Sequence, residues 1–435
     1  MSNYKYKQSF YNINLIEEGY TLDTKEDVTP VYNTLRGKFG YIPKDIDYDN
    51  PPQNLVKEGF IVHKNLDEPE CYKQGQAQAF QMEHFEQMNL LITVSTRCNY
   101  HCAYCFQGTH TNGVDMNEDT IADTIAYIKK AIDTNNVLKK LIVTFFGGEP
   151  LLNMNAIRKI SKFLIEYTKD KGITYYGTVD TNGFYMTPEV SKELKELGVK
   201  KVQIAFDGFE TFYAGVRKAP LTSFNRVIAN IENSAVEVLI RVNVTKKNKD
   251  EVLDLIEYLY SLNAVKEGRA TVSIMRVALY TDNPNYDFTD KEWIEFRNTF
   301  TKFFKYDSPE KFFPLSKACY ISCLMMLKQN VAIGVDGLLY RCDRQVGIKD
   351  KAIGTLKDGI IESCDVEKEF RSSILDKDCL QCKYLPICTG GLCRFETLKK
   401  GKNCDFIKSR FRQNMQVYLD YVGSISTEIL VALSI

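Results

Sequence analysis

Residues 90–106 read LLITVSTRCNYHCAYCF, an apolar run that passes into a loop with three cysteines. The run is rich in β-branched residues and has the length of an ordinary strand, so it predicts a buried β-strand. Cys98, Cys102 and Cys105 follow it, with three and then two residues between them. Open α/β sheets place their functional groups beyond the carboxyl ends of strands, which makes this loop the first candidate site.

The succession of a strand and then a helix repeats along residues 90–279. Apolar strands such as LIVTFF and VQIAFD alternate with helical segments such as AIRKISKFLIEYTKD, giving six strands, five of which are followed by a helix. Repeated βα units predict a parallel sheet with right-handed crossovers, and six units are fewer than the eight of a closed barrel. We therefore expect an α/β fold built on a partial (β/α)6 TIM-like barrel.

The composition excludes several classes of partner. Lys plus Arg and Asp plus Glu each number 56, so no net charge would attract nucleic acid or an anionic membrane. No run approaches the ~20 apolar residues that span a bilayer, and the start, MSNYKYKQSF, lacks the apolar segment of a signal peptide. We expect a cytoplasmic protein that binds neither nucleic acid nor membrane.

The thirteen cysteines are grouped rather than scattered. Three lie at 98–105, nine lie at 319–404, and Cys71 stands alone. Disulfides are rare in the cytoplasm, where clustered cysteines usually bind metal. With only four His in the chain, the ligands must be almost entirely thiolates, which select zinc or iron–sulfur clusters.

The central loop fits an iron–sulfur cluster with one open iron. Three thiolates in one short loop can hold three irons of a [4Fe–4S] cluster, and the fourth iron can then bind a small molecule. The alternative is a zinc knuckle, which would need a fourth nearby ligand. His101 is a poor candidate for that role, because a side chain between two ligands usually points elsewhere.

The Cys-x3-Cys-x2-Cys spacing, with Tyr104 just before the third cysteine, resembles the radical S-adenosylmethionine (SAM) superfamily. FFGGEPLL at 145–152 resembles the family's GGEP motif, and TVDTNG and IAFDG resemble its later SAM-contacting strand ends. The resemblance implies that SAM binds the open iron. Its reductive cleavage would yield a 5′-deoxyadenosyl radical that takes hydrogen from an unreactive carbon.

The same resemblance implies a set of SAM-binding residues. They are Tyr104, Gly147, Gly148, Glu149, Asn182, Asp207, Arg217 and Asn243. The two glycines allow close backbone approach, and Glu149 offers a carboxylate to the SAM amino group. Arg217 would pair with the SAM carboxylate and Asn243 with its ribose. Relatives often have Ser where this chain has Ala205, so one SAM contact is expected to be absent or supplied elsewhere.

The C-terminal cysteines resemble the SPASM extension of radical SAM enzymes, which carries two auxiliary [4Fe–4S] clusters and brings the expected total to three. The implied ligands of auxiliary cluster I are Cys319, Cys323, Cys342 and Cys393. Those of auxiliary cluster II are Cys379, Cys382, Cys388 and Cys404. Four residues, rather than the usual three, separate Cys388 from Cys393. Some relatives leave an iron open where Cys319 would bind, and a zinc ribbon is the alternative for this region.

Cys71 and Cys364 fit neither set. We expect them to be small buried hydrophobic residues.

The first 90 residues have the layout of a winged-helix-like, leader-binding (RRE-type) domain, with YNTLRGKFGYI and LVKEGFIV as the fragments that resemble it. We expect four parts: residues 1–88 binding a leader peptide, a barrel at 89–285, a bridging helical region at 286–318, and the SPASM domain with a terminal helix at 319–435.

The resemblance implies an enzyme that forms an intramolecular crosslink in a ribosomally synthesised precursor peptide. The bond would be a Cys thioether, as in sactipeptide and ranthipeptide enzymes, or a carbon–carbon link of the streptide type. The partners would be the precursor peptide with its leader and an external one-electron reductant of the flavodoxin or ferredoxin type.

Two alternatives stay open at this point. Anaerobic sulfatase-maturating enzymes form formylglycine and place an Asp directly after a SPASM cysteine as a base, and Asp343 follows Cys342 here. A non-catalytic iron–sulfur binding or sensing protein would hold clusters without cleaving SAM.

Overall fold

The computed structural model describes residues 4–22, 26–107, 113–277, 287–305, 315, 318–373 and 375–425. The chain divides into two units. The first unit is drawn from residues 1–81, 294–323 and 372–435. The second unit is drawn from residues 82–293 and 324–371.

Short strands dominate the N-terminal part of the first unit. They are β1 (Tyr6–Gln8), β2 (Asn12–Asn14), β3 (Val28–Asn33), β4 (Lys38–Pro43) and β5 (Ile61–His63). Strands β2, β3 and β4 form an antiparallel sheet, and β1 pairs antiparallel with β5. Two helices accompany them, α1 (Gln53–Lys57) and α2 (Glu68–Gln81).

The segment VYNTLRGKFGYI, whose pattern fits either a strand or a helix start, forms a β-hairpin from β3 to β4. Gly37 takes a φ of 67° at the turn, a conformation that glycine adopts without strain. Strand β5 separates α1 from α2, so among described residues 4–81 no two helices follow one another directly. This layout differs from the helix-turn-helix that the winged-helix expectation requires.

The second unit contains the expected partial barrel. Its strands are β6 (Gln87–Ser95), β7 (Lys140–Gly147), β8 (Thr174–Thr181), β9 (Val199–Phe206), β10 (Glu237–Val244) and β11 (Ala270–Arg276). They lie side by side in chain order and all pair in parallel. The prediction of a parallel α/β sheet of six consecutive βα units is confirmed.

Helices follow the strands along the chain. They are α3 (Glu118–Thr134), α4 (Met154–Asp170), α5 (Pro188–Glu196), α6 (Glu210–Arg217), α7 (Ser223–Glu232), α8 (Val252–Ser261), α9 (Asn263–Lys266) and α10 (Asp290–Arg297). Helix α4 illustrates why they form. Asn153 caps it by accepting from the Ala156 amide at 3.2 Å, and Ile157, Ile160 and Leu164 recur at helical spacing and are buried.

The C-terminal part of the second unit extends the barrel sheet. Strand β12 (Val331–Ile333) pairs in parallel with β6, and β13 (Leu338–Tyr340), β14 (Gly354–Thr355) and β15 (Gly359–Ile360) continue the sheet in antiparallel fashion. Helix α11 (Asp365–Arg371) supplies Glu367, whose carboxylate pairs with the buried guanidinium of Arg341 at 2.6 Å.

The C-terminal part of the first unit is helical. Its helices are α12 (Lys377–Leu380), α13 (Leu385–Cys388), α14 (Arg394–Lys400) and α15 (Cys404–Ile425). Side chains from both ends of the chain share one core cluster, in which Ile13 and Tyr32 pack with Tyr384, Phe411 and Met415. The first 81 residues therefore bury their apolar face against the C-terminal helices within this unit.

Short 3-10 turns complete the second unit and the bridging region. They cover Pro150–Asn153, Asn298–Lys305, Leu324–Met326, Asp343–Gln345 and Lys349–Lys351. Of the predicted bridging region, 286, 306–314 and 316–317 lie outside the described residues, as do 374 and 426–435 of the predicted C-terminal segment. Among the residues that the structure describes, no helix has both the length and the apolar character needed to cross a membrane.

Candidate functional site

The three-cysteine loop leaves the carboxyl end of β6, and its cysteines are half-buried. The pKa of the Cys98 thiol is raised to about 11, mainly by burial and in part by the charges of Glu149 and Cys105. The pKa of Cys102 is raised to about 12, mainly by burial; the charge of Arg217 opposes the shift, and the charges of Asp207, Cys105 and Cys98 contribute to it. The three sulfurs thus lie close enough to repel one another as thiolates, which a positively charged metal group would relieve.

The turn after β7 holds one side of this loop. The Gly148 amide donates to the Ser95 carbonyl at 2.9 Å, and the Glu149 amide donates to the Arg97 carbonyl at 2.7 Å. A Cβ at Gly148 would lie 2.4 Å from the Arg97 oxygen, so only glycine fits this approach. The GGEP segment therefore fixes the backbone immediately before Cys98.

The end of α6 holds the other side of the loop. The His101 amide donates to the Arg217 carbonyl at 2.9 Å, and the Ala103 amide donates to the Val216 carbonyl at 2.9 Å. These carbonyls belong to the last turn of a helix, where no later amide of the helix is available to bond them. The loop supplies the missing donors and is therefore held both before Cys98 and on either side of Cys102.

A buried polar network lies behind this anchor. The Arg217 Nε atom lies 2.6 Å from Asp207 Oδ2, and both side chains are almost fully buried. The Tyr104 hydroxyl donates to Asp207 Oδ1 at 2.6 Å, and Asn243 Nδ2 donates to the Tyr104 oxygen at 3.2 Å. Burial raises the pKa of Tyr104 well above its usual value, which keeps this hydroxyl protonated as a donor.

This network includes Arg217 and Asn243, two of the residues predicted to contact SAM. The Arg217 Nη2 atom donates to the Ala205 carbonyl at 2.8 Å, so residue 205 contributes through its backbone although it lacks a hydroxyl. Arg217 and Asn243 are both bonded to protein groups here, and their assignment to the SAM carboxylate and ribose stays a prediction.

Glu149 is fully buried and accepts three hydrogen bonds. The donors are the Leu151 amide at 3.0 Å, the Thr181 hydroxyl at 2.8 Å and the Asn182 amide at 2.8 Å. Burial raises the pKa of this carboxyl to about 7, although the three donors oppose the shift. Sequence reasoning missed the role of Thr181, although it lies inside the TVDTNG motif.

Asn182 connects Glu149 to the cysteine loop. Its Nδ2 atom lies 2.8 Å from Asn99 Oδ1 and 3.9 Å from the Cys98 sulfur. The predicted SAM residues of the barrel therefore surround the loop in two bonded groups, one around Glu149 and one around Asp207.

A second cysteine group lies in the first unit. The pKa of Cys388 is raised to about 11, mainly by burial and in part by the charges of Cys404, Cys379 and Cys382. Lys402 Nζ lies 3.3 Å from the Cys379 sulfur. Cys388 thus lies within electrostatic reach of the other three residues predicted for auxiliary cluster II, and four soft sulfur donors fit such a cluster.

The structure does not group the residues predicted for auxiliary cluster I. Cys319, Cys323 and Cys393 belong to the first unit and Cys342 to the second, so their common site stays a prediction. Within the second unit, the Cys342 thiol donates to Asp343 Oδ1 at 3.2 Å.

The other two cysteines lie apart from these sets. Cys71 is exposed on α2, and the expectation that it is a buried residue is wrong, because it occupies the outer face of that helix. Cys364 is half-buried, and its sulfur lies 3.8 Å from the Ala352 carbonyl oxygen.

Among the described residues, no group of three or more His, Cys, Asp or Glu side chains converges on a single metal-ion position. A [4Fe–4S] cluster binds each thiolate to a different iron and does not require such convergence.

Comparison with known proteins places the barrel in a family. Residues 92–259 match the Radical SAM superfamily. Over 199 residues the chain is 30% identical to the radical SAM cyclopropyl synthase TigE of Paramaledivibacter caminithermalis, an alignment covering 41% of this chain and 39% of TigE. The chain spans about two fifths to one half of the length of the curated relatives it matches first. The prediction of a radical SAM domain is confirmed.

Two solved structures share the fold. Native anSMEcpe with bound AdoMet and Cp18Cys peptide gives a TM-score of 0.58 at 18% identity, covering 78% of this chain and 100% of that one. Streptococcus suis SuiB bound to precursor peptide SuiA gives 0.52 at 15% identity, covering 83% and 82%. At this identity the likeness establishes the fold.

We predict that replacing Asp207 with Ala destabilises the chain by about 3–5 kcal/mol, because Arg217 keeps its charge but loses its buried partner. The matched control is Glu193→Ala, which breaks the exposed pair of Arg158 with Glu193 and should cost less than about 1 kcal/mol. Urea unfolding of the full chain measures both, and equal losses would contradict the role given to the buried pair.

Proposed function

We propose that this chain is a radical SAM enzyme that forms an intramolecular crosslink, a Cys thioether or a carbon–carbon bond, in a ribosomally synthesised precursor peptide. The observation that carries the proposal is the three-cysteine loop held between the Gly148–Glu149 turn and α6. Its three sulfurs fit a [4Fe–4S] cluster with one open iron. TigE is a cyclopropyl synthase, and SuiB and anSMEcpe have been solved with bound peptides, which supports a peptide substrate.

The residues of the barrel would bind and orient SAM. Cys98, Cys102 and Cys105 would hold the cluster, which together with bound SAM would supply the radical chemistry that takes a hydrogen atom from the peptide. Glu149 would bind the SAM ammonium, because it is the buried carboxylate of the GGEP segment and, unlike Asp207, is not paired with a guanidinium. Phe106 stacks on Phe146 with ring centroids 6.1 Å apart, and this apolar pair would help to exclude water.

The crosslink removes two hydrogens from the peptide. One leaves as a hydrogen atom to the deoxyadenosyl radical, and the other leaves as a proton and an electron. That electron needs an acceptor near the peptide. The candidates for this acceptor are the two auxiliary [4Fe–4S] clusters predicted for the C-terminal cysteines. One would be held by Cys379, Cys382, Cys388 and Cys404. The other would be held by Cys319, Cys323, Cys342 and Cys393.

Other parts of the chain would serve the same reaction. Residues 1–88 would bind the leader of the precursor peptide, and their short, partly unpaired strands suit the addition of a peptide strand. An external flavodoxin or ferredoxin would deliver the electron that starts each cycle. We place this reaction in the cytoplasm, where such reductants and reduced thiols are found.

A second candidate function is formylglycine formation. The position of Asp343 directly after Cys342 favours it, since this reaction needs a base beside the cysteine-rich part. Asp343 would then take a proton from a substrate Cys or Ser. In the crosslinking reaction the same residue would serve as a proton relay.

The test uses the full chain reconstituted with iron and sulfide under anaerobic conditions. With SAM, dithionite and the short peptide encoded beside its gene, we expect 5′-deoxyadenosine and a peptide lighter by two hydrogens that carries an internal crosslink. Cys98→Ala should abolish both products, and Cys364→Ala should leave both unchanged because Cys364 belongs to no predicted ligand set.

Fragmentation of the product by mass spectrometry separates the candidates. A crosslink suppresses backbone fragments between the joined residues. An aldehyde that reacts with a hydrazide would replace the crosslinking proposal with formylglycine formation, and cleavage of SAM with an unchanged peptide would contradict both.

We also predict that the affinity for SAM rises with pH. The Glu149 carboxyl has its pKa raised to about 7, so it is mostly protonated at pH 6 and mostly ionised at pH 7.5. Only the ionised form pairs with the SAM ammonium, and the ionised fraction grows roughly eightfold over this interval. Equilibrium dialysis should show a rise of this size, and Glu149→Gln should abolish the slope. A slope that persists in this variant would contradict the assignment.

A further inference from the structure

The sheet that contains the barrel strands ends in an open edge at β11. Among the described residues, β11 pairs with β10 on one side and with no strand on the other. All seven residues of β11 pair with β10 in an unbroken parallel register, whereas β15, at the opposite edge of the sheet, has two residues. Natural sheets protect their edges with very short strands, bulges, lysine or proline. Residues 270–275, ATVSIM, have none of these features, so this edge is built to pair.

The backbone of β11 presents unpaired hydrogen-bonding groups along this edge. Successive residues of a strand point their N–H and C=O groups to opposite sides. The Val277 amide, directly after β11, donates to the Val244 carbonyl of β10 at 3.0 Å, so the odd-numbered residues of this segment face β10. Val272 and Ile274 therefore direct their N–H and C=O groups away from β10, and no described residue bonds to these groups.

The register of β11 places its open edge beside the predicted SAM residues. Asn243 on β10 donates to the hydroxyl of Tyr104, so it lies on the face of the sheet that carries the cysteine loop. Residues opposite each other in a parallel pair share a face, and Met275 is opposite Asn243. The Met275 side chain is 43% exposed, so this face is open at the level of the SAM residues. A further strand would lie about 5 Å beyond β11, with every second side chain on the same face.

The unpaired groups indicate an extended peptide as the molecule that binds this edge. Val272 and Ile274 each offer one N–H and one C=O, and the two residues are separated by roughly 7 Å along the strand. The backbone of an extended peptide repeats its own donors and acceptors at this spacing. Binding through backbone groups positions a segment without selecting its sequence, while the flexible thioether of the exposed Met275 adapts to different side chains.

We propose that the segment of the peptide substrate that receives the crosslink binds as an added strand along β11, through the backbone groups of Val272 and Ile274. The substrate then forms a seventh strand beside the six of the barrel, and the side chain next to Met275 lies on the face of the SAM residues. This inference rests on the proposed function and adds how the barrel holds the reacting segment. The leader, assigned to residues 1–88, is a different part of the same peptide.

Hydrogen–deuterium exchange tests the added strand without turnover. The sample is the reconstituted full chain with SAM and a saturating amount of the short peptide encoded beside its gene, without reductant, and mass spectrometry with fragmentation resolves the single amides of β11. We expect the amides of Val272 and Ile274 to exchange at least about tenfold more slowly with the peptide than without it, as one added hydrogen bond allows. The amides of Thr271, Ser273 and Met275 point toward β10 and should exchange slowly in both samples, which makes them the internal control.

A proline substitution tests the same contact through affinity. Ile274→Pro removes one outward N–H and leaves the bonds to β10 in place, a change that edge strands tolerate. We expect the affinity for the peptide to fall at least about fivefold. The matched control is Asn136→Pro, in the exposed turn before β7, because the Asn136 amide bonds to no described residue and this variant should keep the native affinity. Circular dichroism and iron content check that both variants fold.

Unchanged exchange of the Val272 and Ile274 amides, or equal affinities of the native and Ile274→Pro chains, would overturn the added strand. Slow exchange that appears without peptide and increases with the concentration of the chain would overturn it too, since the edge would then pair with a second copy. If Ile274→Pro does not fold, the exchange of the native chain still decides. The crosslinking assay on the same preparations separates the two claims. Protected β11 amides without crosslinking would contradict only the proposed function, and crosslinking with unprotected amides would contradict only the added strand.

Discussion

The candidate site depends on the buried ion pair between Arg217 and Asp207. Removing two charges from water costs several kcal/mol per ion, and the pair is tolerated only because further groups bond it. Tyr104 donates to the carboxylate, and the Ala205 carbonyl accepts from the guanidinium. The pair fixes the end of α6, whose carbonyls in turn accept the amides of His101 and Ala103 in the cysteine loop. Charge buried behind the loop thus determines where three half-buried thiols lie.

The other side of the cysteine loop is held by close backbone packing rather than by buried charge. Gly148 lets the turn after β7 approach the backbone before Cys98, and a single added methyl group would prevent this contact. The same turn carries Glu149 into a fully buried position, where its bonds to Thr181 and Asn182 join it to the next strand. Loop, turn and strand end are therefore one bonded assembly, which keeps a site for reactive chemistry rigid.

The sequence was sufficient for the order of the barrel strands, because long apolar segments alternating with amphipathic helices leave few topologies. It was insufficient where the outcome depends on tertiary contacts. The pairing of Arg217 with Asp207 requires α6 to fold back over β9, which no local pattern reveals. Cys71 was expected in the core because isolated cysteines usually lie there, yet it occupies the exposed face of α2.

The three-cysteine loop is proposed to hold a cluster with one iron open to SAM. Electron paramagnetic resonance of the dithionite-reduced full chain tests it directly, because a ligand that binds an iron changes the spectrum of its cluster. We expect SAM to shift the g-values of one cluster signal in the native chain, and we expect both that signal and its shift to be lost in Cys102→Ala. Spectra that are identical with and without SAM would contradict an open iron at this loop.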